Sequence, residues 1–276
     1  MTTSDRPIGV FDSGVGGVSV LREIRRELPA EDLIYLADSA YTPYGDRSAA
    51  LITERSIAMV TLLEREGVKA VVVACNTATG IAVDTLRARF TLPIVAIEPA
   101  VKPAASTTRS GVVGVLATTQ TLASERFSKL VDAHAAGVRV MTQPSPGLVE
   151  VVEAGELSTA STRSLIERYV RPLLDQGADT IVLGCTHYPF VSDVIRDVAG
   201  PSVSLIDSAG PVARELRRRL QVNGLLTTEP RTGTETFWTT GFPEQVAAVI
   251  EQLWARKVDV RAIPPVASEA RRASAQ

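Results

Sequence analysis

Apolar and polar positions along the chain switch repeatedly between two periods. Short runs rich in β-branched residues, Ile8-Gly9-Val10-Phe11, Leu33-Ile34-Tyr35-Leu36-Ala37, Ala70-Val71-Val72-Val73 and Pro93-Ile94-Val95-Ala96-Ile97, are apolar at nearly every position. Between them apolar residues recur at three- and four-residue steps, as in Val20, Leu21, Ile24 and Leu28, and again in Ile52, Ile57, Val60 and Leu63. Continuous apolar runs predict strands buried on both faces, and the intervening period predicts amphipathic helices. The first hundred residues therefore read as βαβαβαβ, a parallel sheet with helices on its faces.

The second half repeats the pattern. Strands are expected over 111–117, 138–142 and 180–183, with helices over 122–131 and 159–176, and the segment 148–155 carries Glu150 and Glu153. A strand over 204–208, a helix from Pro211 to about Leu220, a strand over 235–240 and a helix over 244–254 follow. The second unit is already closed when the last strand and helix arrive, so they are expected to return to the first. The expected division is 1–100 plus 207–267 as one α/β domain, 101–206 as another, and 268–276 as a flexible tail. The fold class is α/β: two pseudo-symmetric, doubly wound domains with mainly parallel sheets and an active site in the cleft between them.

Composition removes several function classes. The 276 residues hold 29 basic and 31 acidic side chains, a net charge of −2, so no basic surface argues for direct nucleic-acid binding. No apolar run reaches the length of a membrane span, and the first residues lack an apolar signal core, which makes the cytoplasm the expected location. The two cysteines are then expected to be free thiols.

Those cysteines carry the most informative pattern. Cys75 and Cys185 each end an apolar run and open a polar loop, Cys75-Asn76-Thr77 and Cys185-Thr186-His187, at the place where open α/β sheets bind ligands. A third strand tip, Asp12-Ser13-Gly14-Val15-Gly16-Gly17, leads into a helix and suits anion binding through backbone N–H groups. It matches neither a Walker A loop nor the dinucleotide fingerprint. Two thiols on opposed units suit proton transfer on two faces of one carbon, because a carbanion reprotonated from the face it lost its proton returns the starting enantiomer. Asp12 and His187 are placed to tune the thiols, and Ser13, Asn76, Thr77, Thr118 and Thr186 to hold carboxylates. Other readings stay open at this point. Each cysteine is also a plausible small core residue. Cys75, Cys185 and His187 are of zinc-ligand type but lack the close pairing of zinc motifs. A Cys-His hydrolase requires residues 185 and 187 to meet; an extended strand turns them to opposite faces, though a turn could bring them together.

The segments Phe11-Asp12-Ser13-Gly14-Val15-Gly16-Gly17, Asp38-Ser39-Ala40-Tyr41-Thr42-Pro43-Tyr44-Gly45, Cys75-Asn76-Thr77-Ala78-Thr79, Gly184-Cys185-Thr186-His187-Tyr188-Pro189 and Ile206-Asp207-Ser208 together resemble the glutamate racemases of the aspartate/glutamate racemase superfamily. The resemblance runs from about Pro7 to Trp254. It implies cofactor-independent interconversion of L- and D-glutamate for peptidoglycan synthesis. Cys75 and Cys185 would be the acid/base pair, assisted by Asp12, His187 and Glu153. Asp12, Ser13, Pro43, Tyr44, Gly45, Cys75, Asn76, Thr77, Thr118, Thr121, Cys185, Thr186 and His187 would bind substrate, with no metal. Members are commonly homodimers, and some also inhibit DNA gyrase, a partner that the resemblance alone raises. Two rivals remain: a racemase of another acidic amino acid such as aspartate, and a non-catalytic regulator that binds a small ligand.

Overall fold

A computed structural model describes residues 3–228 and 230–263; the expected tail at 268–276 lies outside the described residues. The first βα units are β1 (Ile8–Asp12), α1 (Val18–Glu27), β2 (Leu33–Ala37), α2 (Ala49–Arg65), β3 (Ala70–Val73), α3 (Asn76–Arg89), β4 (Ile94–Ala96) and α4 (Val101–Thr107). The next are β5 (Val112–Ala117), α5 (Thr119–Ala123), α6 (Glu125–His134), β6 (Arg139–Pro144), α7 (Leu148–Glu153), α8 (Ala160–Asp175), β7 (Thr180–Leu183), α9 (Ser192–Ala199) and β8 (Ser204–Ile206). The chain ends with α10 (Ala209–Val222), β9 (Glu235–Thr239), α11 (Pro243–Trp254) and β10 (Val260–Ala262).

Two parallel sheets result, ordered β10-β9-β2-β1-β3-β4 and β6-β5-β7-β8. The core of the first, β2-β1-β3-β4, has the same connectivity as the whole of the second. The match extends to register: Ile8–Phe11 pair with Ala70–Val73, and Val113–Leu116 pair with Thr180–Leu183. Each cysteine therefore stands two residues beyond the strand beside the central one. The late strands β9 and β10 extend the first sheet beyond β2.

Every residue of β1, β2, β3 and β7 is buried, as their unbroken apolar runs require. Helix α1 buries Val18, Val20, Leu21 and Ile24 in a cluster shared with Leu216 and Leu220 of α10. That cluster runs on to Val149 and Val152 of α7, Leu183 of β7 and Tyr188, so apolar packing is continuous across the two sheets. Full burial of one such side chain contributes about 1.5–3 kcal/mol.

Four details differ from the sequence expectation. The helix expected over 122–131 is two helices, because the Ser124 side chain accepts from Phe127 N–H at 3.2 Å and starts α6 afresh. Helix α4 occupies the stretch read only as a unit boundary; Pro103 lies in its first turn, where no N–H is needed. Helix α9 and the short strand β10 are also additions. Among the described residues no helix is long and apolar enough to cross a membrane.

Candidate active site

The candidate residues converge from the carboxyl ends of β1, β3, β5 and β7. Asp12 is the last residue of β1 and is fully buried. Its Oδ2 accepts from Gly17 N–H at 2.7 Å and from the Thr186 hydroxyl at 3.4 Å, and Ser13 donates to Oδ1 at 3.5 Å. Burial raises its carboxyl above the usual range, against the opposing pull of His187 and the Gly17 N–H.

Cys75 caps the N-terminus of α3, its sulfur accepting from Ala78 N–H at 3.4 Å and lying 3.7 Å from the Ser13 hydroxyl. Burial, and then the nearby Asp12 carboxylate, push this thiol far above its ordinary range, so it rests protonated. Cys185 has a different neighbour. Its Sγ lies 3.6 Å from His187 Nδ1, and His187 Nε2 lies 2.6 Å from Glu153 Oε1. Burial alone would depress the imidazole; hydrogen bonds to Cys185 and Glu153 outweigh it and raise the ring well above its usual value. The doubly protonated ring donates to both partners. The contact between residues 185 and 187 is made by a turn, the alternative to an extended strand. Strand β7 ends at Leu183, and His187 has helical backbone (φ −74°, ψ −33°), so strand alternation no longer applies.

Glu153 is no solvated helix residue. At the end of α7, its Oε1 also accepts from Val15 N–H at 2.8 Å, joining the second sheet's loops to the first's. The glycines of the Asp12–Gly17 turn permit this approach: a Cβ on Gly14 would overlap the Glu153 carboxylate, and one on Gly16 the His187 ring.

A second bridge is a triangle of hydroxyls. Thr77 lies 2.9 Å from Thr118 and 3.2 Å from Thr121, and Thr118 and Thr121 are 2.9 Å apart (Oγ1 to Oγ1). Thr118 also caps α5 through Thr121 N–H. Gly45 packs against Thr118, and Pro43 and Gly45 line a small cavity with Thr118, Ser145 and Glu150. Tyr44 is buried beneath this loop, and Asn76 is buried with its Oδ1 lacking a protein partner. Both thiols are covered, Cys75 being 4% and Cys185 7% exposed. A cavity of about 450 Å³ lies on the outer side of Glu153, lined also by Val15, Thr42 and Phe242 among others; neither thiol lines it. Among the described residues no group of three or more His, Cys, Asp or Glu is arranged to hold a metal ion.

Sequence reasoning missed two supports. Ser19 donates to the Thr186 carbonyl at 2.8 Å, and Tyr35 donates to the Gly14 carbonyl at 2.6 Å. The signal was a polar group inside an apolar pattern: a serine on the buried face of α1 and a tyrosine within β2.

Two thiols at equivalent places in two like-wound sheets, joined by these bridges, match a known group of enzymes. The family model "Asp/Glu/Hydantoin racemase" matches residues 8–216. The chain belongs to this racemase family. It is 53% identical over 261 residues to the glutamate racemase of Ectopseudomonas mendocina, covering 94% of this chain and 99% of that protein. A glutamate racemase isoform from Bacillus anthracis superposes with a TM-score of 0.86 at 32% identity, covering 95% of this chain and 98% of that one. The Francisella tularensis glutamate racemase in complex with D-glutamate gives 0.85 at 29% identity, covering 96% and 99%.

Proposed function

We propose that this racemase interconverts L- and D-glutamate without a cofactor, Cys75 and Cys185 working on opposite faces of the substrate α-carbon. The observation that carries the reading is the equivalent placement of the two cysteines, with hydrogen bonds drawing their loops together. A thiolate removes the α-proton and becomes a thiol; the opposite thiol delivers its proton to the other face and becomes the thiolate. Each turnover leaves the pair inverted, ready for the reverse reaction. On this reading, which follows the resemblance to glutamate racemases, Cys185 serves the L-enantiomer and Cys75 the D-enantiomer.

The hydroxyls of Thr77, Thr118 and Thr121, with the N–H groups at the start of α3, supply donors for a carboxylate without a fixed cation. Thr186, Ser13 and Asp12 lie where the α-amino and α-carboxylate groups need partners. Because both thiols are covered, the Thr77–Thr118 contact must part on binding and close again around the substrate. Glutamate as substrate is supported by the names of the relatives and by the D-glutamate complex of the Francisella protein. Supply of D-glutamate to peptidoglycan in the cytoplasm, and assembly as a homodimer, belong to the same proposal.

Proton NMR of L-glutamate in D₂O, with circular dichroism of the same sample, tests it. Loss of both the α-proton signal and the dichroism is expected from the wild type. Neither Cys75→Ser nor Cys185→Ser is expected to racemise. Full activity in either mutant removes the two-thiol mechanism, and faster turnover of aspartate moves the substrate assignment.

A further inference from the structure

Behind the substrate loop lies a buried polar cluster that the racemisation chemistry leaves unused. We propose that Arg55 and Asp38 are positioning residues that hold the loop 41–45 against Thr118, a proposal that rests on the racemase reading above. Asp38, at the carboxyl end of β2, is fully buried, and a carboxylate in that setting is tolerated only when well paired. Arg55, midway along α2 and 4% exposed, meets it with two parallel bonds: Nε to Oδ2 at 3.0 Å and Nη2 to Oδ1 at 2.9 Å.

Both aromatic residues of the loop are fastened to this pair. The Arg55 guanidinium lies 3.9 Å from the centroid of the Tyr41 ring, and the Tyr44 hydroxyl donates to Asp38 Oδ2 at 2.6 Å. On the far side, Thr240 donates to Asp38 Oδ1 at 2.8 Å and accepts from Ala40 N–H at 3.1 Å. The loop is thus held at its start by Thr240, in its middle by the guanidinium face and at its end by the Tyr44 hydroxyl. What this fixes is Gly45, whose backbone lies so close to Thr118 that an added Cβ would come within 2.9 Å of the threonine Cβ. Thr118 belongs to the hydroxyl triangle, so the cluster acts on substrate binding and not on either thiol. Lysine cannot replace the arginine, since an ammonium offers neither the planar fork nor the stacking face.

Arg55→Lys and Tyr44→Phe test the assignment through steady-state kinetics in both directions and amide hydrogen exchange of the segment 39–47. Arg55→Lys is expected to raise KM for both enantiomers about tenfold or more, the equivalent of one lost charged hydrogen bond, with kcat within about threefold. Tyr44→Phe should raise KM less, keep a melting temperature near that of the wild type, and still speed exchange in 39–47. Unchanged KM in the folded variants, or a loss of kcat in one direction only, overturns the proposal. If Arg55→Lys fails to fold, Tyr44→Phe decides. A wild type inactive on glutamate defeats the functional reading instead; exchange in Tyr44→Phe then decides this one, and unchanged protection of 39–47 overturns it.

Discussion

Replacing Glu153 with glutamine isolates the electrostatics around Cys185. The side chain keeps its shape, and its amide oxygen can still accept from Val15 N–H, so the link between the two halves survives. What disappears is the negative charge 2.6 Å from His187 Nε2. A hydrogen bond to a charged group contributes about 1.5–3 kcal/mol, so the imidazolium loses about ten- to a hundredfold in proton affinity. His187 is held above its usual range in the wild type. Its stabilising contribution is therefore full below the unfolded imidazole value of about 6.5 and is lost as pH rises through the folded value. Glu153→Gln moves that loss to lower pH, and the alkaline limb of kcat/KM for L-glutamate moves with it. The chain has two histidines, and His134 is exposed, so an imidazole NMR titration separates them without ambiguity. A His187 titration that does not move would refute the argument that Glu153 holds the ring protonated.

Two further outcomes follow from close contacts elsewhere. Gly16→Ala drives a Cβ into the His187 ring; it is expected to lower kcat/KM for L-glutamate at least tenfold and to cost about 1–3 kcal/mol of stability, read by urea unfolding. Lys69→Met strands Glu31, its buried partner at the amino ends of the strands, and should destabilise by about 3–5 kcal/mol while activity at 25 °C stays unchanged; Lys69→Met with Glu31→Leu should recover most of the loss.

The elements that were legible in the sequence are those whose burial is uniform. Val71-Val72-Val73 and Ile181-Val182-Leu183 can only be strands covered on both faces, and the polar loops after them follow from where such strands end. Helix α4 was hidden because Pro99 and Pro103 read as a break, although proline costs nothing in a first turn. Strand β10, three residues with two exposed, carries too little pattern to register. In the site, residue types named the actors but not their pairings. The Cys185–His187 contact depends on the chain leaving strand geometry at Gly184, and the Glu153–His187 contact on Gly14 and Gly16, which lie in the distant first loop of the chain. The role of Asp38 was not legible because nothing local shows that Arg55, a full helix segment later, is buried against it.

The two sheets are alike, but the two half-sites are not. Here the duplicated frame sets two sulfurs at equivalent strand ends, and the residues around them break the symmetry. Cys75 faces Asp12 and Ser13, an acidic and neutral setting that keeps its proton. Cys185 faces an imidazolium fixed by Glu153. The bridging bonds from Thr186 to Asp12 and from Val15 to Glu153 place each accessory group beside residues of the opposite half. On the two-thiol reading, whatever parts these bridges also loosens the groups around both sulfurs.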